Sequence, residues 1–195
     1  MKVPVLATSV VAAAVAAMIG LGIWQLHRAE WKKDLLARYA AAGSLPSIAW
    51  PAVPPPKPEQ LFFRKASGFC LQVVGWRAIA GSNLKAQPGQ AHIAACRTGA
   101  EGPGMQVDMG WSLSAASPSW RGGPVGGIIA PDHKYGMRLV SAQALPGLEP
   151  SAPPSIDAIP DNHLLYAIQW FAFALIASVI YGLALRKKMR EQAGA

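Results

Sequence analysis

Two long apolar blocks, one at each end of the chain, limit what it can fold into more than any other feature. Residues 4–26 and residues 164–185 each run for more than twenty positions without a charged side chain. At a rise of about 1.5 Å per residue, either block forms a helix long enough to cross about 30 Å of hydrocarbon. They also account for the composition, which is 52% hydrophobic and only 14% charged over 195 residues. The sequence therefore predicts two transmembrane helices.

The first block has a competing interpretation as a secretory signal peptide, because Lys2 precedes its alanine-rich apolar run. The run is longer than the usual core of about 7 to 15 residues in a signal peptide. The residues that follow, "GIWQLHRAEWKK", are aromatic and charged rather than small. These features favour a span that is retained.

The charges that flank the spans predict their orientation. Arg186, Lys187, Lys188 and Arg190 follow the second span directly, which favours the cytoplasmic side for the C-terminus. With two spans, the N-terminus lies on the same side and the segment between the spans is periplasmic. We therefore expect a multi-pass protein of a bacterial inner membrane.

Proline and glycine divide the chain into segments. Six prolines between Pro46 and Pro58 rule out a regular helix or central strand there, and a second proline-rich stretch precedes the last span. Between them, short β-prone runs alternate with glycine turns, which predicts a small antiparallel sheet or partial barrel of about five to seven strands. The predicted segments are a transmembrane helix (1–26), its helical extension (27–45), a proline-rich connector (46–60), a periplasmic β-rich domain (61–146), a return connector (147–163), the second transmembrane helix (164–185) and a basic cytoplasmic tail (186–195). The predicted fold class is an α+β membrane protein.

Charge and motifs exclude several functional classes. The net charge of +8 is spread over the chain, with no basic stripe interleaved with aromatic residues, so we expect contacts with anionic lipid headgroups and not with nucleic acid. No nucleophile elbow, phosphate-binding loop or zinc-protease motif occurs. His92 and His133 have no carboxylate or serine partner at an informative spacing and are predicted to be surface or structural residues. Asp108 and Asp132 are predicted to be turn or strand residues and not an acid/base pair. The sequence does not predict an enzyme.

The two cysteines, Cys70 and Cys96, lie in no CxxC or zinc-binding pattern. They are consistent with either a disulfide or two free thiols. An oxidising periplasm favours the disulfide, provided that the strands carrying the two residues are neighbours.

Polar and aromatic side chains gather at the periplasmic ends of both spans. On a helix, His163, Tyr166 and Trp170 share one face of the second span, together with Asn162, Gln169, Phe173 and Ala177. Gln25 and Arg28 lie at the same level on the first span. A haem would suit such a site, with histidine on the iron, aromatic rings against the macrocycle and arginine beside the propionates. An ordinary belt of interfacial aromatic residues explains the same pattern.

Small residues recur every four positions in the first span, at Ala12, Ala16 and Gly20. Such a stripe lets two helix backbones approach closely in a membrane. We therefore expect this stripe to face the second span.

Two segments resemble the surfeit-locus family of cytochrome c oxidase assembly factors. "LGIWQLHRAEWK" is similar to the family's first-span motif, in Gly22, Trp24, Gln25, Arg28, Trp31 and Lys32. "NHLLYAIQWFAFA" is similar to the second-span motif, and "FFRKASGF" and "VDMGW" more loosely resemble two strands of the family.

The resemblance implies an inner-membrane biogenesis factor that binds haem a transiently and assists its insertion into oxidase subunit I. The histidine proposed as haem ligand in the family corresponds to His163. Tyr166, Trp170, Arg28 and Gln25 are added to the site from the helical face. The implied partners are subunit I and haem a synthase. A scaffold that binds these proteins without holding haem is the alternative, and copper delivery is a third hypothesis.

Overall fold

The structure is a computed structural model that describes residues 4–193. Along the chain, one helix precedes the seven strands and another follows them. The elements form two compact units. One unit holds the helices up to Leu35 and from Pro160, and the other holds residues Leu36–Ile159. The elements are α1 (Val5–Ala42), β1 (Ile48–Ala49), a 3-10 turn (Pro58–Leu61), β2 (Lys65–Cys70), β3 (Gln72–Ser82), β4 (Pro88–Arg97), β5 (Met105–Ser112), β6 (Gly123–Asp132), β7 (Gly136–Ser141), a second 3-10 turn (Ile156–Ala158) and α2 (His163–Ala193).

Both helices are long and apolar enough to be candidate membrane spans. α1 continues without a break from the first apolar block through "AEWKKDLLARYAAA", because this stretch is rich in helix-forming residues and contains neither proline nor glycine. It ends just before Gly43. α2 likewise begins at His163 and runs through the second apolar block into the basic residues.

The helices pair through a seam that differs from the predicted one. On α1 the less exposed positions recur at alternating spacings of three and four residues, at Thr8, Val11, Val15, Met18, Gly22 and Gln25. This is the spacing of helices that pack side by side with a small crossing angle. The prediction that Ala12, Ala16 and Gly20 face α2 is wrong, since all three are exposed.

The physical reason is that each close contact between two helices needs a small residue on only one of them. α2 supplies them at Ala167 and Ala174, which are buried. The larger residues Val15 and Met18 of α1 can then occupy the seam.

The strands form one sheet in the order β1-β2-β6-β7-β5-β4-β3. Most neighbours are antiparallel, but β1 runs parallel to β2 and β5 runs parallel to β7. The prediction of an antiparallel sheet is therefore wrong in this respect, and the sheet is mixed. β5 and β7 are parallel because residues 113–122 cross over before the β6–β7 hairpin. The second strand of this hairpin then lies beside β5 and runs in the same direction.

The sheet curves back on itself at Leu71. β2 and β3 belong to opposite sides of the strand order, yet only Leu71 separates them in the chain. The backbone N–H of Leu71 donates to the carbonyl of Arg97 at 2.9 Å. A disulfide joins Cys70 to Cys96 beside this turn, with 5.2 Å between their Cα atoms. The disulfide favoured by the sequence is confirmed, and the sheet is a partly closed barrel.

One hydrophobic cluster fills the barrel domain. Buried aliphatic and sulfur-containing side chains from all the longer strands except β3 form its centre, and four large aromatic residues pack around them. The central residues include Ala94, Cys96, Met105, Val107, Val125, Ile129 and Leu139, and the surrounding aromatic residues are Trp50, Phe62, Trp76 and Trp120. The disulfide is part of this cluster, so at the core it links β2 to β4, each of which lies next to one end of the strand order.

Removing the disulfide is expected to destabilise the barrel domain substantially. The bond closes a loop with a sequence separation of 26, for which the loss of unfolded-chain entropy contributes about 3.5 kcal/mol. The double variant Cys70→Ser, Cys96→Ser should lose this amount in a denaturant titration that follows the emission of the barrel tryptophans. Treating the wild type with a reductant should give the same loss. A loss of less than about 1 kcal/mol would show that the bond does not constrain the unfolded chain.

Candidate functional site

His163 lies in the first turn of α2 and is directed towards α1. The first hydrogen bond of the helix runs from the N–H of Tyr166 to the carbonyl of Asn162 at 3.1 Å, which places His163 in that turn. Its Nδ1 lies 2.8 Å from Oε1 of Gln25 on α1. Both side chains are half-buried. Gln25 and His163, which come from different candidate membrane spans, therefore form a direct interhelical contact.

This hydrogen bond determines which imidazole nitrogen of His163 is available to bind a metal. A glutamine oxygen only accepts hydrogen bonds, so Nδ1 of His163 carries the proton and donates it. In the neutral ring, Nε2 is then unprotonated and has a free lone pair. No residue of the described range 4–193 makes a hydrogen bond to Nε2. Such an arrangement is common for metal-binding histidines, whose second nitrogen is held by an outer partner.

Two aromatic residues share the face of His163 on α2. Tyr166 is 49% exposed and Trp170 is half-buried. The Trp170 ring makes an edge contact with Phe173, with 6.2 Å between the ring centroids. The two rings lie three and seven positions after His163 and present apolar surface on the same side of the helix.

Arg28 lies on α1, three residues after Gln25. Its guanidinium lies 4.0 Å from the centroid of the Trp31 ring, and the side chain is exposed. No hydrogen bond joins Arg28 to His163, Tyr166 or Trp170 within the part of the chain that the structure describes. The structure thus joins Gln25 to His163 by a hydrogen bond, and within the described residues it shows no such bond from Arg28, Tyr166 or Trp170 to that pair.

Sequence reasoning missed a second contact between the two helices, in which the Phe171 ring of α2 packs against Gly22 of α1. A Cβ atom added to Gly22 would lie 2.7 Å from the Phe171 ring, so the ring occupies the space that any side chain would need. Farther along the seam, the hydroxyls of Thr8 and Tyr181 lie 2.6 Å apart. The signal for the first contact was present, because Gly22 belongs to the motif that carries the family resemblance.

Replacing Gly22 with leucine is expected to separate the helices. Overpacking of this kind costs about 1–3 kcal/mol, because the Phe171 ring must leave its position. We expect bismaleimide cross-linking between Thr8→Cys and Tyr181→Cys to fall by about tenfold in the Gly22→Leu background. Gly20→Leu is the matched control, since nothing lies within 4 Å of a Cβ at Gly20. Equal loss of cross-linking in both backgrounds would contradict the observed seam.

The barrel domain contains a buried polar network of its own. Oδ1 of Asp108 accepts a hydrogen bond of 2.6 Å from the Ser151 hydroxyl and one of 3.2 Å from the N–H of Gly110. Burial raises the pKa of the Asp108 carboxyl above its usual value, although these hydrogen bonds oppose the shift. Because Ser151 belongs to the segment that returns to α2, the network ties this segment to β5. It supports the structural role that the sequence predicts for Asp108.

His92 is also buried and structural. Its Nε2 lies 2.8 Å from the hydroxyl of Ser112, which itself donates to the carbonyl of Ser114. The Ser112 proton is therefore engaged, and Nε2 of His92 acts as the donor. His92 thus stabilises the pairing between β4 and the end of β5.

Asp132 holds two arginines at the β6–β7 hairpin. It forms an ion pair with Arg77, and Arg138 lies 3.9 Å from the same carboxylate oxygen. Burial alone would raise the pKa of Asp132, but the hydrogen bonds from Arg77 and from the backbone of Lys134 and Tyr135 hold it below its usual value. This ion pair connects β3 with the hairpin.

A groove of about 850 Å³ lies on the surface of the barrel domain. None of its lining residues is charged, and Phe69, Trp120 and Leu145 contribute its larger apolar surfaces. Within residues 4–193, no three histidine, cysteine, aspartate or glutamate side chains gather into a metal-binding cluster.

Comparison with known proteins adds one positive finding. A family model described as the SURF1 family matches residues 12–175, which is most of the chain and includes both motif segments. A search of curated proteins found no match.

Proposed function

The chain belongs to the SURF1 family, and on this premise we propose that it binds haem a through His163 and assists its insertion into cytochrome c oxidase. The family is linked to cytochrome c oxidase assembly and is a family of assembly factors rather than enzymes. Haem binding, the ligand and the delivery step are our proposals for this chain.

The observation that carries the proposal is the hydrogen bond from His163 Nδ1 to Gln25 Oε1, 2.8 Å long. It holds the ring between two helices and, in the neutral ring, directs the lone pair to Nε2, the nitrogen that would then bind iron. Bound haem would supply an iron that this nitrogen can hold. A single imidazole from this chain suits a carrier, because release then requires one bond to break.

The neighbouring residues fit the remainder of the macrocycle. Tyr166 and Trp170 present partly exposed rings on the face of His163, and flat aromatic surfaces pack against a planar apolar ligand. Arg28 carries a positive charge about one turn after Gln25 on α1, where it would pair with the carboxylates of haem. Gln25 would act through His163, since its oxygen is already engaged by the ring.

The proposed setting follows from the helices and the charges. α1 and α2 are candidate membrane spans, and the basic residues after the second apolar block favour the cytoplasm for both termini. The barrel domain would then face the periplasm of a bacterial inner membrane, where Cys70 and Cys96 can remain oxidised. The proposed partners are oxidase subunit I and haem a synthase.

The disulfide argues against copper delivery through the two cysteines. Copper(I) selects soft ligands such as thiolates. The only two cysteines of the sequence are joined to each other, so neither sulfur is a thiolate in this structure. Haem transport is therefore the better proposal.

The full chain, purified from cells that make haem a, tests the proposal. We expect an absorption spectrum of bound haem a, with roughly one haem per chain, and loss of that spectrum when cells lack haem a synthase. A haem-free protein that still co-purifies with subunit I or with haem a synthase would instead support the scaffold alternative.

A further inference from the structure

β3 has an outer edge that no other strand covers. It is the last strand in the sheet order and pairs only with β4. In an antiparallel pair, the backbone groups of successive residues point alternately towards the neighbour and away from it. Alternate residues of β3 therefore direct an N–H and a C=O group to the outside of the sheet.

The structure identifies which residues these are. The carbonyl of Ser82 accepts a hydrogen bond of 2.8 Å from the N–H of Ala152, outside the β4 pairing. Pro88, opposite Ser82 on β4, has no N–H to donate, which agrees with this direction. Since the register runs without a shift from Gly75 to Ser82, the backbone groups of Trp76, Ala78 and Ala80 point the same way.

These groups have no partner within residues 4–193. None of the hydrogen bonds outside the regular ladders involves the N–H or C=O of Trp76, Ala78 or Ala80. The chain already uses the same edge at its far end, where Asn83 and Ser151 form an antiparallel bridge. The pairing stops there and leaves the stretch from Trp76 to Ala80 open.

The edge also lacks most of the usual protection against pairing. Natural sheets protect such edges with proline, lysine or bulges. β3 has a bulge at Val73 and Gly75, but none of the residues from Trp76 to Ser82 is proline or lysine. The one charged residue in that stretch, Arg77, is paired with Asp132.

From this edge we infer a docking site for an extended segment of a partner polypeptide, which adds to the sheet as a strand beside β3. Alternating donors and acceptors in this geometry match the main chain of another extended polypeptide, and neither a lipid nor a haem offers that pattern. The neutralised Arg77 favours a segment without strong charge. This inference is independent of haem binding at His163.

Amide hydrogen exchange on the full chain in detergent tests the site, with a synthetic octapeptide of alternating valine and threonine as the probe. Without the peptide, the amides of Trp76, Ala78 and Ala80 should exchange rapidly, while those of Arg77 and Ile79 stay protected. The peptide should protect Ala78 and Ala80. The same peptide methylated on alternate backbone nitrogens should bind at least about tenfold more weakly, because it cannot complete the ladder.

The matched variants are Ala78→Pro and Ala78→Thr. Proline is tolerated where an edge N–H points outwards, so Ala78→Pro should keep its thermal unfolding midpoint and lose about tenfold in affinity for the peptide. Ala78→Thr keeps the N–H and should bind as the wild type does.

Three outcomes would overturn the inference. Protection of Ala78 and Ala80 without peptide at every protein concentration would mean that the chain covers its own edge. Protection that increases with protein concentration would assign the edge to a second copy. Peptide-induced protection around Trp120 alone would place the binding in the groove.

Discussion

The His163→Ala variant is expected to lose its bound haem a when it is purified from cells that make this cofactor. His163 would supply the iron–nitrogen bond, and no other histidine within residues 4–193 lies at the seam between α1 and α2. Losing only the outer partner of a metal ligand typically costs about 10- to 100-fold in affinity, so losing the ligand itself should exceed that range. The measurement is the absorption spectrum of the purified protein, together with the haem extracted per chain.

The matched control is His27→Ala. His27 lies on α1 two residues after Gln25, and it is exposed. We expect its spectrum and haem content to equal those of the wild type. Cross-linking of the Thr8→Cys, Tyr181→Cys pair should be unchanged in both variants, which separates loss of the ligand from loss of the helix pair. An unchanged spectrum in His163→Ala would eliminate the proposed ligand.

The features that sequence predicted well depend on composition or on short-range pattern. The charge-free apolar blocks predicted two helices, and both are observed. Glycine turns between β-prone runs predicted a small sheet of five to seven strands, and the observed sheet has seven. The disulfide was favoured from the expected compartment, and the strand ends that carry Cys70 and Cys96 do meet. The family was predicted from two motif segments, and the family match confirms it.

The features that failed are those decided by contacts between distant residues. The parallel pairing of β5 with β7 depends on where the chain crosses over after Ser112, which no local pattern encodes. The stripe of Ala12, Ala16 and Gly20 has the composition of a helix contact, yet Ala167 and Ala174 fill that role from the other helix. Helical spacing also cannot show that Gln25 contacts His163, because it places each residue on its own helix only.

The second large effect concerns Gln25, and it follows from that contact. Gln25→Leu removes the acceptor of the His163 Nδ1 proton and puts an apolar side chain of roughly similar size in its place. The ring then loses both its orientation and its fixed tautomer, and the haem affinity should fall by about 10- to 100-fold. A haem titration of the purified apoprotein, followed by absorption, gives the two dissociation constants directly.

Two matched variants distinguish positioning of the ring from general effects of polarity in the membrane. Gln25→Glu keeps an oxygen acceptor, so its affinity should stay within about threefold of the wild type, and a carboxylate partner makes the imidazole a more basic ligand. His27→Leu removes a polar side chain from the exposed face of α1, two residues after Gln25, and should leave haem binding unchanged. If Gln25→Leu binds haem as tightly as His27→Leu does, the hydrogen bond to His163 contributes nothing to binding. The result expected from the structure is that Gln25→Leu alone weakens binding and Gln25→Glu restores it, because an acceptor at this position holds the ring with Nε2 free.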